Sequence, residues 1–483
     1  MDESLQKETG GAMLFNSLAF AVFLPIVFFI YWALPHKYRY ILLFLASYYF
    51  YMSWNAKYVV LILFTTFVSY VSGLLLNEKQ FQQKRKILLS LTLVASLGIL
   101  FFFKYSNLFL STLNTVCERF AIPLHPVALQ FMLPVGISFY TFQTLSYVID
   151  VYKGKVEPER NFVKYAAFIA FFPQLVAGPI ERTENLLPQI RKEQFFSYKK
   201  ASYGLKLMAW GFFKKLVIAD TVGIYVDQIY SESHYYKGFS LFLATLFFAI
   251  QIYCDFSGYS DIAIGCGKLF GIDLMRNFKS PYFARSLKEF WSRWHISLST
   301  WFRDYVYIPL GGNRVSPMRK HWNLIVTFLA SGLWHGANYT FLLWGLFHGV
   351  GQVLEKILGK WLGKFQNRVL TFFLVVIGWI FFRADTIAEA FYVLGHMWVG
   401  ISSPVSYVVN GIRDFHMTAL DGVSVVVPVV LLVVYDYVAL KADPLDGISG
   451  LPVKVRWAVY YGFMLFFLLF ASFNAREFVY FQF

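Results

Sequence analysis

The sequence predicts an all-α membrane protein that crosses the bilayer many times. Hydrophobic residues occupy 58% of the 483 positions and charged residues only 15%, which leaves too little polar surface for a soluble globule of this size. The charges are gathered between apolar runs, many of which approach the ~20 residues that a helix needs to cross the hydrocarbon core. Because lipid offers no partner to backbone polar groups, runs of this length favour helices.

The apolar runs are candidate membrane-spanning helices. In chain order they are 13–34, 40–54, 58–76, 87–103, 131–151, 203–230, 239–264, 322–337, 338–354, 369–383, 422–440 and 456–473. The two shortest, 40–54 and 369–383, could instead be buried or re-entrant pieces. We interpret residues 1–12 as a polar N-terminal tail and 13–483 as a single membrane domain, because we find no linker, internal repeat or low-complexity tract that divides the chain.

Two further segments differ from simple spans. The stretch 161–180 is apolar but interrupted by Pro173, Gly178 and Pro179, which predicts a re-entrant hairpin. The charged stretch 268–320 also carries aromatic residues at spacings of three and four. That pattern predicts amphipathic helices on or dipping into the cytoplasmic face.

The excess of basic over acidic residues reflects which loops lie on the cytoplasmic side of the membrane, and it does not indicate nucleic-acid binding. Lysine and arginine number 43 against 28 acidic residues, and they concentrate in loops such as 36–39, 78–86 and 153–164, which we therefore place in the cytoplasm. No nucleic-acid-binding motif accompanies them. We therefore predict no nucleic-acid partner.

The three cysteines form no CxxC pair and no cluster with metal-ligand spacing, so we predict no metal site. We also predict no permanently bound cofactor.

Two histidines are the leading candidates for chemistry. His335 lies in a long apolar stretch between Gly332 and Gly336, where an ionisable side chain is costly and is by default a functional hypothesis. His295 lies 40 positions earlier (335 − 295 = 40), in the charged stretch. A neutral imidazole can take a proton from a hydroxyl and return it to a leaving group near neutral pH. Either residue could instead be a structural histidine that hydrogen-bonds between helices.

Polar residues interrupt the apolar run 239–264. Asp255, Ser257 and Asp261 lie there, and the two carboxylates are six positions apart, so a regular helix would place them on different faces. The spacing argues against a paired-carboxylate acid/base site. It is compatible with a cavity lining, with a carboxylate that orients a histidine, or with hydrogen bonds that join neighbouring helices.

The chain resembles the membrane-bound O-acyltransferase family along nearly its whole length, in particular the bacterial branch typified by the alginate O-acetylation protein. Each motif alone is weak, but their number and order make the resemblance specific. The segments that carry it are 13–17 (MLFNS), 137–143 (ISFYTFQ), 175–180 (LVAGPI), 255–265 (DFSGYSDIAIG), 291–314, 331–336 (SGLWHG), 381–384 (FFRA) and 480–483 (YFQF).

The resemblance implies a multi-helix core around a transmembrane tunnel in the bacterial inner membrane. The histidine characteristic of the family falls on His335 and the second histidine of this branch on His295. We expect the tunnel lining or its support to include Asp255, Ser257, Trp334, Asn338, Gln143 and Arg303.

The resemblance also implies a reaction and its participants. An acetyl group would pass from a cytoplasmic thioester, acetyl-CoA or an acyl carrier protein, to an acceptor outside, for O-acetylation of an exported alginate-like polysaccharide. The partners would be membrane lipid, a cytoplasmic donor protein and an extracytoplasmic SGNH-type acetyltransferase. His335 would serve as a base or would carry the acyl group itself.

Three other functions remain open at this point. Within the same family, the chain could transfer D-alanine or another acyl unit to teichoic acid. From a different class, it could be a proton-coupled transporter or flippase in which His335 and Asp255 relay protons, although we find no pair of related halves. It could also be a scaffold without activity, which a histidine beside glycines in an apolar stretch disfavours.

Overall fold

The computed structural model describes residues 13–123, 127–129, 134–176, 178–362, 367–472, 476 and 478–479, and within them the regular structure is helical. The α-helices are α1 Leu18–Ala33, α2 His36–Met52, α3 Val59–Asn77, α4 Arg85–Arg119, α5 Ile137–Tyr152, α6 Phe162–Ala170, α7 Phe172–Leu175, α8 Thr183–Arg191, α9 Tyr198–Phe212, α10 Asp220–Tyr230, α11 Phe239–Leu269, α12 Leu287–Arg293, α13 Ile296–Phe302, α14 Pro317–His335, α15 Tyr339–Leu362, α16 Arg368–Arg383, α17 Ile387–His396, α18 Pro404–Arg413, α19 Ala419–Ala439, α20 Pro444–Ser449 and α21 Val453–Phe470. Two π-helical segments, Phe213–Ala219 and Arg303–Tyr307, continue α9 and α13.

The predicted fold class is confirmed, because the predicted apolar runs overlap helices within the described residues. Five helical stretches of the described chain are long and apolar enough to cross a membrane: Ala56–Asn77, Lys79–Arg119, Phe239–Leu269, Ala419–Ala439 and Val453–Phe470. The predicted tail, 1–12, and the closing motif, 480–483, lie outside the described residues.

Short polar residues fix several helix starts. Ser17 precedes α1, and its Oγ accepts a hydrogen bond from the backbone N–H of Phe20. Thr418 precedes α19 in a capping box with Asp421, in which each side chain accepts from the other residue's backbone N–H. These bonds satisfy N–H groups that have no partner within the helix.

The chain folds into two compact units, and the single domain predicted from the sequence stays a prediction. The first comprises Met1–Met208 and Ile262–Met275, and the second comprises Ala209–Asp261 and Arg276–Phe483. In the first unit, α5, α6 and α7 are largely buried. The second unit has an aromatic core that includes Trp294, Trp344 and Trp379.

The stretch 161–180 is broken as the sequence predicts. Helix α6 ends at Ala170, and α7 lasts only from Phe172 to Leu175 with Pro173 in its first turn. None of the described residues between Leu175 and Thr183 is helical. The path of this stretch through the bilayer stays a prediction.

The charged stretch 268–320 forms short helices, as predicted, but their aromatic side chains are not spread over a surface. Phe290, Trp291, Trp294, Leu298 and Trp301 are all buried. The first three belong to the hydrophobic core of the second unit. The apolar faces of α12 and α13 are therefore buried within the protein. Because buried side chains are closely packed, this burial fixes the position of the residues between the two helices.

Candidate active site

The structure brings the two predicted histidines together inside the second unit. His335 is the last residue of α14, and His295 lies between α12 and α13. Both side chains are buried, and their ring centroids are 6.4 Å apart. At this separation a reacting atom between the rings could lie within hydrogen-bond reach of both, roughly 3 Å from each nitrogen.

Glycines allow α14 and α15 to pack closely enough to enclose His335. A methyl group at Gly332 would collide with the backbone carbonyl oxygen of Phe341, and one at Gly336 would collide with the ring of Phe341. The ring of Trp344 on α15 stands perpendicular to that of His335, with centroids 5.0 Å apart. The helix hairpin thus fixes the imidazole against an aromatic wall.

The backbone at His295 adopts an unusual conformation. Its φ is 42° and its ψ 54°, in the left-handed region that few residues other than glycine occupy. The ring of Phe256 on α11 stands perpendicular to the imidazole, with centroids 4.6 Å apart. Burial lowers the pKa of His295 well below its usual value, and a positive charge on His335 would lower it further. His295 is therefore a neutral imidazole near neutral pH.

Asn277 contacts His295, although sequence reasoning did not single it out. Its Oδ1 lies 3.4 Å from His295 Nδ1 and accepts a hydrogen bond from Ser297 Oγ at 2.6 Å. Its Nδ2 donates to Ser260 Oγ on α11 at 3.1 Å. All four side chains are buried. Only the fold joins these positions, so no spacing rule in the sequence could have found Asn277.

The predicted polar residues of α11 bind two lysines that the sequence analysis also missed. Lys214 Nζ lies 2.8 Å from Ser257 Oγ and 2.6 Å from Asp261 Oδ2. Lys215 Nζ lies 2.8 Å from Asp255 Oδ1. Asp255 and Asp261 thus each pair with a different lysine, and their placement on different faces of α11 stays a prediction.

A π-helical segment explains how two adjacent lysines reach the same neighbouring helix. Lys214 and Lys215 both lie in Phe213–Ala219, and π-helical turns are frequent at functional sites. Lys215 also pairs with Asp220 at 2.8 Å, so one buried ammonium lies between two buried carboxylates. Asp255 further accepts a hydrogen bond from the backbone N–H of Val479 at 2.7 Å. Of the three roles left open for Asp255, these contacts are those of a residue that joins helices, and they also bind Val479. Asn277 is the side chain that contacts His295.

Comparisons with known proteins show the family of the chain. The model of the membrane-bound O-acyltransferase (MBOAT) family matches residues 157–383, which contain both histidines. The chain is 38% identical over 441 residues to the probable alginate O-acetylase AlgI of Azotobacter vinelandii, covering 90% of this chain and 87% of that protein. The chain belongs to the membrane-bound O-acyltransferase family. It is therefore a multi-pass membrane protein and an O-acyltransferase, which uses an acyl donor as substrate.

Two further relatives support the assignment to this branch of the O-acyltransferase family. The probable alginate O-acetylase AlgI of Pseudomonas putida is 36% identical over 502 residues, covering 98% of this chain and 100% of that protein. The peptidoglycan O-acetyltransferase of Helicobacter pylori is 35% identical over 445 residues, covering 84% of this chain and 82% of that protein.

The remaining residues predicted from the O-acyltransferase resemblance occupy varied environments. Trp334 precedes His335 and is half-buried. Asn338 joins α14 to α15, donating to Asp385 O at 2.8 Å and accepting from Thr340 N at 3.1 Å. Arg303 is exposed and pairs with its neighbour Asp304 at 2.7 Å, so the structure does not bring it to the histidines.

Gln143 belongs to the first unit of this O-acyltransferase. Its Nε2 donates to Phe168 O at 2.8 Å, and its Oε1 accepts from Gln174 Nε2 at 3.1 Å. These bonds tie α5 to the broken stretch of α6 and α7. Gln143 therefore supports the backbone within that unit, and its predicted place in a tunnel stays a prediction.

A third buried histidine serves as a comparison for the pair. His348 lies on α15, and its Nδ1 accepts a hydrogen bond from Trp291 Nε1 at 3.3 Å. This is the environment of a histidine packed between helices. Among the described residues, no group of three or more His, Cys, Asp or Glu side chains is arranged to hold a metal ion.

Proposed function

We propose that this O-acyltransferase is an O-acetyltransferase that passes acetyl groups from a cytoplasmic thioester across the membrane, for O-acetylation of an exported, alginate-like polysaccharide. The observation that carries the proposal is the buried pair of His295 and His335, 6.4 Å apart on a chain whose relatives bear the names alginate O-acetylase and peptidoglycan O-acetyltransferase.

In this reaction, His335 acts as general base on the acceptor hydroxyl. As the hydroxyl oxygen attacks the thioester carbonyl, a C–O bond forms and the C–S bond breaks. The proton passes from the hydroxyl to His335 and then to the departing sulfur, so the reaction needs no other reactant. Positioned acid–base catalysis of this kind contributes about 10²- to 10⁴-fold to a rate.

The donor is an anionic thioester, acetyl-CoA or an acyl carrier protein. Exposed cations in the second unit provide the electrostatic attraction that favours its approach. They include Arg276, Lys279, Arg285, Lys288, Arg314 and Arg319. The positive-inside rule places such residues on the cytoplasmic face, where thioesters are available.

The proposed location is the bacterial inner membrane, among its lipids. In this proposal, the acetyl group emerges on the outer side of the membrane. An extracytoplasmic SGNH-type acetyltransferase receives it there and transfers it to the polymer.

The test is the acyl ester content of the exported polymer in a deletion strain complemented with wild type, His335→Ala or His396→Ala at matched membrane levels. His396 is the control, since its Nδ1 contacts only a carbonyl of its own helix, that of Tyr392, among its described hydrogen bonds. We expect acetyl esters to disappear only with His335→Ala.

Mass spectrometry of the released acyl groups separates the alternatives. D-alanine in place of acetate would support transfer to teichoic acid instead. Full esters in His335→Ala would overturn the catalytic role and favour a transporter or scaffold. A covalent acyl group on His335 in wild-type protein would replace the general-base step by a carrier step.

A further inference from the structure

We infer that Asn277 is a positioning residue that fixes the tautomer of His295, so that Nδ1 carries the hydrogen and Nε2 is the lone-pair atom offered to the substrate. The inference deepens the proposed function and rests on it for the role of His295 in transfer. The tautomer itself follows from the hydrogen bonds and from the burial that keeps the ring neutral.

The first step is the orientation of the Asn277 amide. The backbone N–H of Ser297 can only donate, and it points to the amide atom 3.3 Å away, which must therefore be the oxygen Oδ1. On the other side, Nδ2 has the hydroxyl of Ser260 as its acceptor at 3.1 Å. The Ser260 hydroxyl can serve either end of an amide, so the orientation is decided by the Ser297 N–H, whose bond a reversed amide would lose.

The second step is the proton on His295. Oδ1 of Asn277 lies 3.4 Å from Nδ1 of His295, and an amide oxygen only accepts hydrogen bonds. A hydrogen bond between these two atoms therefore requires the hydrogen to be on Nδ1. Since the ring is neutral, Nε2 is left with a lone pair. His295 can accept a hydrogen bond from a substrate hydroxyl or amide, but it cannot donate one to a carbonyl oxygen that becomes negative.

The third step is that the backbone holds Asn277 beside His295 independently of the side chain. The N–H of Ile296 donates to the carbonyl of Asn277 at 2.9 Å, and the N–H of Lys279 donates to the carbonyl of Arg293 at 3.0 Å. These bonds flank His295 and accompany its left-handed conformation. Substitution of the Asn277 side chain should therefore leave the local backbone in place, so that variants test the amide itself.

The charged side chains on the elements around His295 are paired with one another. Asp255, next to Phe256 on α11, pairs with Lys215, which also pairs with Asp220. Arg293, two residues earlier, pairs with Glu289 at 2.6 Å. Asp261, next to Ser260, pairs with Lys214 at 2.6 Å. A carboxylate at position 277 would consequently act directly on His295. It would stabilise the imidazolium form and raise the pKa of His295.

The test compares Asn277→Asp, Asn277→Ala and the exposed control Asn410→Asp. Membrane vesicles would receive labelled acetyl-CoA, and the initial rate of acyl transfer would be measured from pH 5 to 9. In Asn277→Asp we expect the acid-side loss of activity to move to higher pH by about one unit. In Asn277→Ala we expect kcat to fall at least about tenfold with little change in KM. An unmoved pH profile in Asn277→Asp would overturn the inference.

A second measurement does not depend on activity. Nitrogen NMR of histidine-labelled protein in lipid nanodiscs reports directly which ring nitrogen carries the hydrogen, and His295→Gln assigns the signal. We expect Nδ1–H in the wild type and a mixture of tautomers in Asn277→Ala. Nε2–H in the wild type would overturn the inference even if transfer is confirmed. Conversely, if the wild type shows Nδ1–H but transfers no acetyl group, the proposed function is refuted and the inference about the tautomer stands.

Discussion

The rings of His295 and His335 lie 6.4 Å apart, each held by a different element of the second unit. The hairpin of α14 and α15 encloses His335, whereas Asn277 and Phe256 contact His295. Because the two residues reach this position independently, loss of one leaves the other in place. Single and double substitutions can therefore separate their contributions.

The first prediction concerns this pair. If both histidines act in the same step, His295→Ala and His335→Ala should each lower kcat by about 10²-fold or more, and the double variant should lose little beyond the worse single variant. Initial rates of transfer from acetyl-CoA in membrane vesicles measure this. Effects that simply multiply would show that the residues act in separate steps, and an active His295→Ala would return His295 to a structural role.

The second prediction concerns the buried ion pairs of Lys215. Lys215→Met leaves Asp220 and Asp255 buried without their cation, which should destabilise the protein by about 3–5 kcal/mol. Lys200→Met is the control, because the pair of Lys200 with Asp273 is about half-exposed. Its loss should lower the free energy of unfolding by less than about 1 kcal/mol. Thermal unfolding in detergent should show a large fall in midpoint for the first variant only. Equal unfolding midpoints for Lys215→Met and Lys200→Met would mean that water or other groups reach the buried carboxylates.

The third prediction concerns the glycines of the hairpin. Gly332→Ala places a methyl group against the carbonyl of Phe341, so α14 and α15 must separate and His335 must move. Overpacking of this kind costs about 1–3 kcal/mol, and we expect transfer activity to fall with the unfolding midpoint. Gly359→Ala is the control on α15, since nothing lies within 4 Å of the added methyl group. Unchanged activity in Gly332→Ala would show that the close approach does not position His335.

The fourth prediction concerns Glu181 in the first unit. Burial raises the pKa of Glu181 to about 7, although Met275 N and Asn185 Nδ2 donate hydrogen bonds to it. The folded protein therefore holds a proton that the unfolded chain releases near pH 4.5, so stability falls as pH rises from about 4.5 to about 7.

The substitution Glu181→Gln should remove this contribution, which is at most about 3 kcal/mol. Unfolding midpoints between pH 4.5 and 8 should decline less steeply in the variant, while the exposed control Glu184→Gln should follow the wild type. Parallel curves for wild type and Glu181→Gln would show that the carboxyl ionises without cost.

Much of the fold could be predicted from the sequence because apolar length is a strong signal in a membrane protein. The runs 239–264 and 369–383 correspond closely to α11 and α16. Where polar residues continue a helix beyond its apolar part, the prediction fell short: the run 87–103 is only part of α4, which extends to Arg119. The length of an apolar run predicts the part of a helix that lies in lipid. It gives no information on the polar continuation of the same helix outside the lipid.

The candidate site was predicted only in part, for a related reason. His295 and His335 stand out because histidine is costly among apolar residues. Asn277 is an ordinary residue in a charged stretch, and its contact with His295 depends on tertiary packing alone. Lys214 and Lys215 were missed because helical periodicity of 3.6 residues does not anticipate a π-helical turn.

The π-helical turn at Phe213–Ala219 holds one residue more than an α-helix of the same length, because its backbone bonds run from i to i+5 instead of i to i+4. Within this turn, the carbonyl of Leu216 receives the N–H of Ser472 from the C-terminal part of the chain. Deleting one residue would restore ordinary winding and return that carbonyl to an i→i+4 partner of its own helix. A shorter chain would thus form a more regular helix but attach its C-terminal segment less firmly.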